Sequence, residues 1–183
     1  MSRSPDNILL YLAPRQQQQV RSIFATLATL GFPAQQQTPH ISLTFSPAMD
    51  EQVVQKAAQL LPAVVPASLR RAGTVVFGTK RKQTVAWLLD APAELEDAAR
   101  TLSALNPDGR GHRWIPHLTM GLRLPKEIVP DYIRALDEAT SPHFKELTAQ
   151  CAGLWKPRLQ QLEILAGSTH GATVGHLLDA QPQ

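Results

Sequence analysis

The 183 residues, 20.1 kDa, suit one domain or two small lobes sharing a core, and 43% hydrophobic content excludes a wholly disordered chain. Eighteen basic against fifteen acidic side chains give a net charge of +3, which permits a polyanionic partner without requiring one. A single cysteine, Cys151, excludes an intramolecular disulfide framework and a cysteine-based zinc cluster, and a reducing, cytoplasmic setting is the simplest reading. The chain opens with a strand over 7–13, whose apolar run is far shorter than the ~20 residues that cross a bilayer and lacks the pattern of a basic n-region, a longer apolar core and a small-residue cleavage site. A helix follows on the spacing Val20, Ile23, Phe24, Leu27, Leu30, and Gly31 and Pro33 stop it. A strand over 39–46 leads to a second helix, capped by Asp50 and running through Val53, Val54, Ala57 and Leu60 to Pro62. Strands over 73–78 and 83–90 enclose a charged tip, Lys80-Arg81-Lys82. The third helix carries Leu95, Ala98, Ala99, Leu102 and Leu105, and Asn106-Pro107-Asp108-Gly109 ends it. After a strand over 114–122 comes the fourth helix, with Ile128, Tyr132, Ala135, Leu136 and Ala139. Strands over 147–155, 159–166 and 173–178 complete the chain, and the tail after Ala180 is read as loose.

The order strand, helix, strand, helix, strand therefore occurs twice. Thirty-three positions separate Asn7 from His40 and thirty-four separate Gln83 from His117. Each histidine follows a proline and opens a similar strand, Pro39-His40-Ile41-Ser42-Leu43 against Pro116-His117-Leu118-Thr119-Met120. We read residues 1–183 as one bilobal domain built by internal duplication, with repeat units near 7–78 and 83–166. The glutamine runs 16–19 and 35–37 read as solvated surface.

Strand alternation places His40, Ser42, Thr44 and Ser46 on one face and Ile41, Leu43 and Phe45 on the other, the core side. In the second strand His117, Thr119, Gly121 and Arg123 oppose Leu118, Met120, Leu122 and Leu124. The first face of each strand is equipped to hold an anion. Imidazole exchanges a proton near neutral pH, and Ser or Thr hydroxyls donate to phosphoryl oxygens. Gly121 would admit a ligand close to the backbone, and Arg123 adds a guanidinium fork suited to phosphate. Of the six histidines, only these two are followed two positions later by Ser or Thr.

These paired His-x-Ser/Thr motifs, Pro39-His40-Ile41-Ser42-Leu43-Thr44-Phe45 and Pro116-His117-Leu118-Thr119-Met120-Gly121-Leu122-Arg123, resemble those of the 2H phosphoesterase superfamily. Within it the chain is most similar to the RNA 2′,3′-cyclic phosphodiesterases, historically called 2′-5′ RNA ligases, over about residues 7–178. Ser42 stands where the first motif more often has threonine. The resemblance implies an α+β, bilobal fold: two pseudo-symmetric αβ lobes whose antiparallel-rich sheets flank a central cleft holding both histidines. It implies a hydrolase that needs no metal and no cofactor. His40 and His117 would divide the acid and base roles, and Ser42, Thr119 and Arg123 would bind the phosphate. The implied partner is an RNA 2′,3′-cyclic phosphate end or a small cyclic nucleotide, with no membrane and no obligate protein partner, the chain acting as a monomer. Two alternatives share these residues: a nucleotide- or RNA-binding module without turnover, and ligation, the reverse of diester cleavage.

Other candidates carry less. His112 with His117 and His170 with His176 lack helical i, i+4 spacing and an acidic companion, so a metal reading is disfavoured. The basic loop Gly109-Arg110-Gly111-His112-Arg113 reads as a solvated turn rather than a phosphate contact. Arg70-Arg71 and Lys156-Arg158 add scattered positive charge that could line a cleft for RNA. Trp87, Trp114 and Trp155 read as packing residues, Phe45 as core, and Tyr11 as either core or cleft.

Overall fold

The computed structural model describes residues 4–168. Its elements follow the order β1 (Asp6–Leu12), α1 (Pro14–Thr29), β2 (His40–Ser46), α2 (Glu51–Leu60), β3 (Ala67–Phe77), β4 (Lys82–Asp90), α3 (Ala93–Leu105), β5 (His117–Pro125), α4 (Val129–Ala139), β6 (Glu146–Lys156) and β7 (Gln161–Gly167). Local chemistry explains most boundaries. Pro14 opens α1, where its missing N–H costs nothing, and Gly31, at φ +93°, follows the end of that helix. Asp50 caps α2 by accepting from the Gln52 amide. β3 starts six residues before the expected strand because Ala67 and Leu69 turn inward between the exposed Ser68 and Arg70. The expected strand over 173–178 lies outside the described residues, as do His170 and His176.

Every strand pairing is antiparallel, in the order β2-β1-β6-β3-β4-β5 with β7 also on β6. The third strand of each βαβαβ run crosses to the other run. β3 pairs along β4, β6 pairs along β1, and the two crossing strands meet over Ala67–Arg70 and Glu146–Ala149. Neither half can complete its ladder without a strand from the other. The helices make the matching exchange, α1 packing on α4 and α2 on α3. Phe32, just after α1, meets Tyr132 of α4 edge to face at 5.2 Å.

One continuous core lies between helices and sheet, with Ile8, Leu10, Phe24, Trp87, Leu118 and Tyr132 among its buried members. Each such side chain contributes about 1.5–3 kcal/mol on burial. On the opposite face, Leu9, Tyr11, Cys151 and Trp155 form a smaller cluster. Both faces of β1 are thus covered, which is why its sequence is an unbroken apolar run rather than an alternating one. The first glutamine run is partly structural. Gln17 is buried with Nε2 donating to the Leu12 carbonyl, and Gln16 both donates to the Glu146 carbonyl and accepts from the Thr148 amide. No helix among the described residues is long and apolar enough to cross a membrane.

Candidate active site

β2 and β5 carry the same irregularity at the same place. Opposite the Ile8–Leu9 step of β1, the β2 partner jumps from Thr44 to Ser42 and leaves Leu43 unpaired. Opposite the Val85–Ala86 step of β4, the β5 partner jumps from Gly121 to Thr119 and leaves Met120 unpaired. Each bulge falls three residues after its histidine. One extra residue inverts the alternation of everything beyond it. His40, Ser42, His117 and Thr119 precede the bulges and share half-buried positions, as expected. Past the bulges the expectation fails. Thr44, Ser46 and Gly121 turn inward, while Phe45 and Leu122, both expected in the core, are 43% and 40% exposed.

Buried partners hold this geometry. The Tyr132 hydroxyl donates to the carbonyl of Met120, the bulged residue of β5. In β2, Asn106 Nδ2 donates to Thr44 Oγ1 at 2.8 Å and to the Phe45 carbonyl at 3.0 Å. A Cβ on Gly121 would stand 2.6 Å from Leu124 Cδ1 and 2.7 Å from Tyr132 Cε1. That glycine admits core packing, not a ligand.

The histidines occupy equivalent settings. Nδ1 of His40 lies 2.7 Å from the Thr38 carbonyl oxygen, and Nδ1 of His117 lies 2.7 Å from that of Ile115. A carbonyl only accepts, so each Nδ1 carries the proton, and the neutral ring keeps its lone pair on Nε2. Burial depresses both pKa values below the ordinary 6.5, against the opposing pull of those carbonyls. The charge His117 can carry lowers His40 further, and Arg110 lowers His117 further. The Phe77 ring lies 4.7 Å from that of His117. Ser42 Oγ accepts from Asn7 Nδ2 at 2.8 Å, which leaves its own proton free to donate.

The loops ahead of the two motif strands reach across reciprocally. Trp114 Nε1 donates to the Ser42 carbonyl at 2.9 Å, and the Leu122 amide donates to Gln35 Oε1 at 2.7 Å. Trp114 and the second glutamine run therefore join the two halves, against their reading as packing and solvated surface. Gln37 of that run is buried as well. A cavity of about 550 Å³ opens here, lined by Ser42, Phe45, Phe77, Trp114 and His117 together with Arg110 and Arg113 of the basic loop. His40, Thr119 and Arg123 are not among its lining residues. Arg123 is exposed at φ +54°, within a second register shift of β5 between Gly121 and Leu124. Of the other basic candidates, Arg70 pairs with Asp90, and Arg71 lies over Trp87 and donates to the Phe144 carbonyl. Tyr11 is core. It pairs in register with His40, and burial raises its pKa well above the usual tyrosine value. Among the described residues, no three His, Cys, Asp or Glu side chains converge as a metal site would require.

Sequence reasoning missed Asn7, Phe45, Phe77, Arg110, Arg113 and Trp114. The Gly-Arg-Gly-His-Arg run was the one visible signal, and its direction depends on the α3–β5 loop folding back over β2.

No family model and no curated protein matches the sequence. Among solved structures, the chain is similar to Kluyveromyces marxianus Usb1, determined with uridine monophosphate. The TM-score is 0.54 at 13% identity, with 89% of this chain and 98% of that one covered. The likeness is one of fold, and that fold is α+β.

Proposed function

We propose that this protein is a metal-independent phosphodiesterase that opens 2′,3′-cyclic phosphates of RNA or nucleotides by acid–base catalysis between His40 and His117. The equivalent setting of the two rings carries the reading: each has Nδ1 tied to the carbonyl two residues back, on matching bulged strands of opposite halves. With Nδ1 fixed as donor, Nε2 is the working atom. One neutral imidazole takes a proton from water as its oxygen attacks phosphorus. The other, as imidazolium, gives a proton to the ribose oxygen as its bond to phosphorus breaks. The products are an acyclic phosphomonoester and a free hydroxyl, and solvent resets both rings. Ser42 and Thr119 donate to the non-bridging oxygens, whose charge rises as phosphorus becomes five-coordinate. The fold shared with a protein solved with uridine monophosphate supports a nucleotide as ligand. The internal duplication read from the sequence is consistent with the crossed third strands.

Hydrolysis of 2′,3′-cyclic nucleotides in EDTA tests the proposal. His40→Ala and His117→Ala should each lose ~10²-fold or more, since each proton-transfer role is worth ~10²–10⁴. Full turnover in either variant would overturn the mechanism. Tight binding with no turnover in the unmodified protein would leave a binding module instead.

A further inference from the structure

The loops before the two motif strands occupy corresponding positions but differ in charge. Residues 30–39 contain no charged side chain, whereas 106–116 carry Arg110 and Arg113 into the cavity that holds His117 and Ser42. Neither arginine has an ion-pair partner among the described residues. The one acid of that loop, Asp108, also lines the cavity, but its carboxylate accepts from the Ser46 hydroxyl and makes no ion pair with either arginine. Arg110 reaches back over the first motif strand, its Cζ 5.9 Å from the centre of the Phe45 ring. Two unpaired guanidiniums lining a cavity are placed to take an anion, since this group pairs with phosphate through parallel N–H donors. The reacting phosphate does not supply that anion on the mechanism above, which holds it between the histidines with Ser42 and Thr119 as donors. About 550 Å³ accommodates far more than one phosphate group.

We infer that Arg110 and Arg113 form a second phosphate subsite, which takes the phosphate on the 5′ side of the terminal nucleoside while the reacting phosphate lies at the histidines. The inference rests on the nucleotide reading of the cavity and adds a substrate class: a nucleotide phosphorylated on its 5′ oxygen, as a free end or as an internucleotide diester. A nucleoside 2′,3′-cyclic phosphate with a bare 5′-hydroxyl leaves the subsite unused.

Binding measurements separate this subsite from the hydrolytic reading. Affinities are compared by calorimetry for a nucleoside 3′-monophosphate, the 3′,5′-bisphosphate and a 3′-phosphorylated dinucleotide. The unmodified protein should bind at least one of the last two roughly tenfold or more tighter than the first. The Arg110→Gln/Arg113→Gln variant should bind all three within about twofold of one another, and an Arg81→Gln control should keep the preference. A gain with the dinucleotide identifies a diester as occupant; a gain confined to the bisphosphate identifies a free 5′-phosphate. No preference in the unmodified protein, or one that survives in the double variant, would overturn the subsite. Because the readout is binding, the result holds whether or not cyclic substrates are hydrolysed. Hydrolysis without the preference would sink the subsite alone, and the preference without hydrolysis would sink the catalytic reading alone.

Discussion

At the scale of single residues, the site depends on how each polar group is supported. Both imidazoles are held through Nδ1, with no hydrogen bond to Nε2 among the described residues, and burial keeps both below the ordinary histidine pKa. The proposed mechanism needs one ring protonated and one neutral, so on that reading the maximum of kcat/KM, which reports the free enzyme, should fall on the acid side of pH 6.5. A bell centred above neutrality would contradict that environment. On the proposed mechanism Asn7 acts through Ser42, since its amide occupies one lone pair of the hydroxyl and leaves the proton to be donated to the substrate phosphate. Asn7→Ala should lower kcat/KM by about tenfold, in keeping with the loss of one buried hydrogen bond of ~1 kcal/mol or slightly more. In a Ser42→Ala background the same change should cost almost nothing further. Additive losses in that cycle would mean that Asn7 supports the strand generally. The histidines and hydroxyls were legible because the strand period is regular as far as the fourth motif residue. Asn7 was not, since its role depends on the β1–β2 register.

The bulges operate at the scale of the strand. They decide that Phe45 and Leu122 leave the core and that Thr44 and Gly121 enter it. Simple alternation assigned all four to the wrong face, because an inserted residue leaves no mark on hydropathy. What holds each bulge is a distant side chain, Tyr132 for β5 and Asn106 for β2. Gly121→Ala should therefore destabilise the fold by about 1–3 kcal/mol, because the new methyl meets Leu124 and Tyr132 in a packed interior. Urea denaturation would measure the loss. An unchanged midpoint would show that the strand shifts freely at that point, against the pinning by Tyr132. The helices were easier to read. Their apolar spacing and their Asp50, Gly31 and Asn106-Pro107 signals are local, and the observed ends differ from the expected ones chiefly at the polar first turn of α1.

At the scale of the whole molecule, the crossed strands β3 and β6 and the reciprocal contacts of Gln35 and Trp114 bind the two halves into one unit. The shared site has a consequence for stability. Unfolded, both imidazoles take up protons through pH 6.5; folded, they resist until lower pH, so the unfolded state holds more protons in between. Their contribution is complete above pH 6.5 and is lost as the pH falls through the depressed folded values. The urea midpoint should drop between pH 7.5 and pH 5, and the drop should shrink in the His40→Ala/His117→Ala variant. An equal drop in both proteins would place the acid sensitivity elsewhere. The amino-acid sequence alone determined the order of the described elements, with its repeated βαβαβ plan, and placed one histidine and one hydroxyl on each of two matching strands. Those features follow from periodicity and end signals within a few residues, where the chain's own covalent geometry sets which side chains share a face. Tertiary structure decided the strand exchange, the two bulges, and the return of the α3–β5 loop with Arg110, Arg113 and Trp114 to the cavity. Each of these rests on hydrogen bonds between residues far apart in the chain, such as Asn106 with Thr44 and Trp114 with Ser42, whose pairing no local pattern encodes.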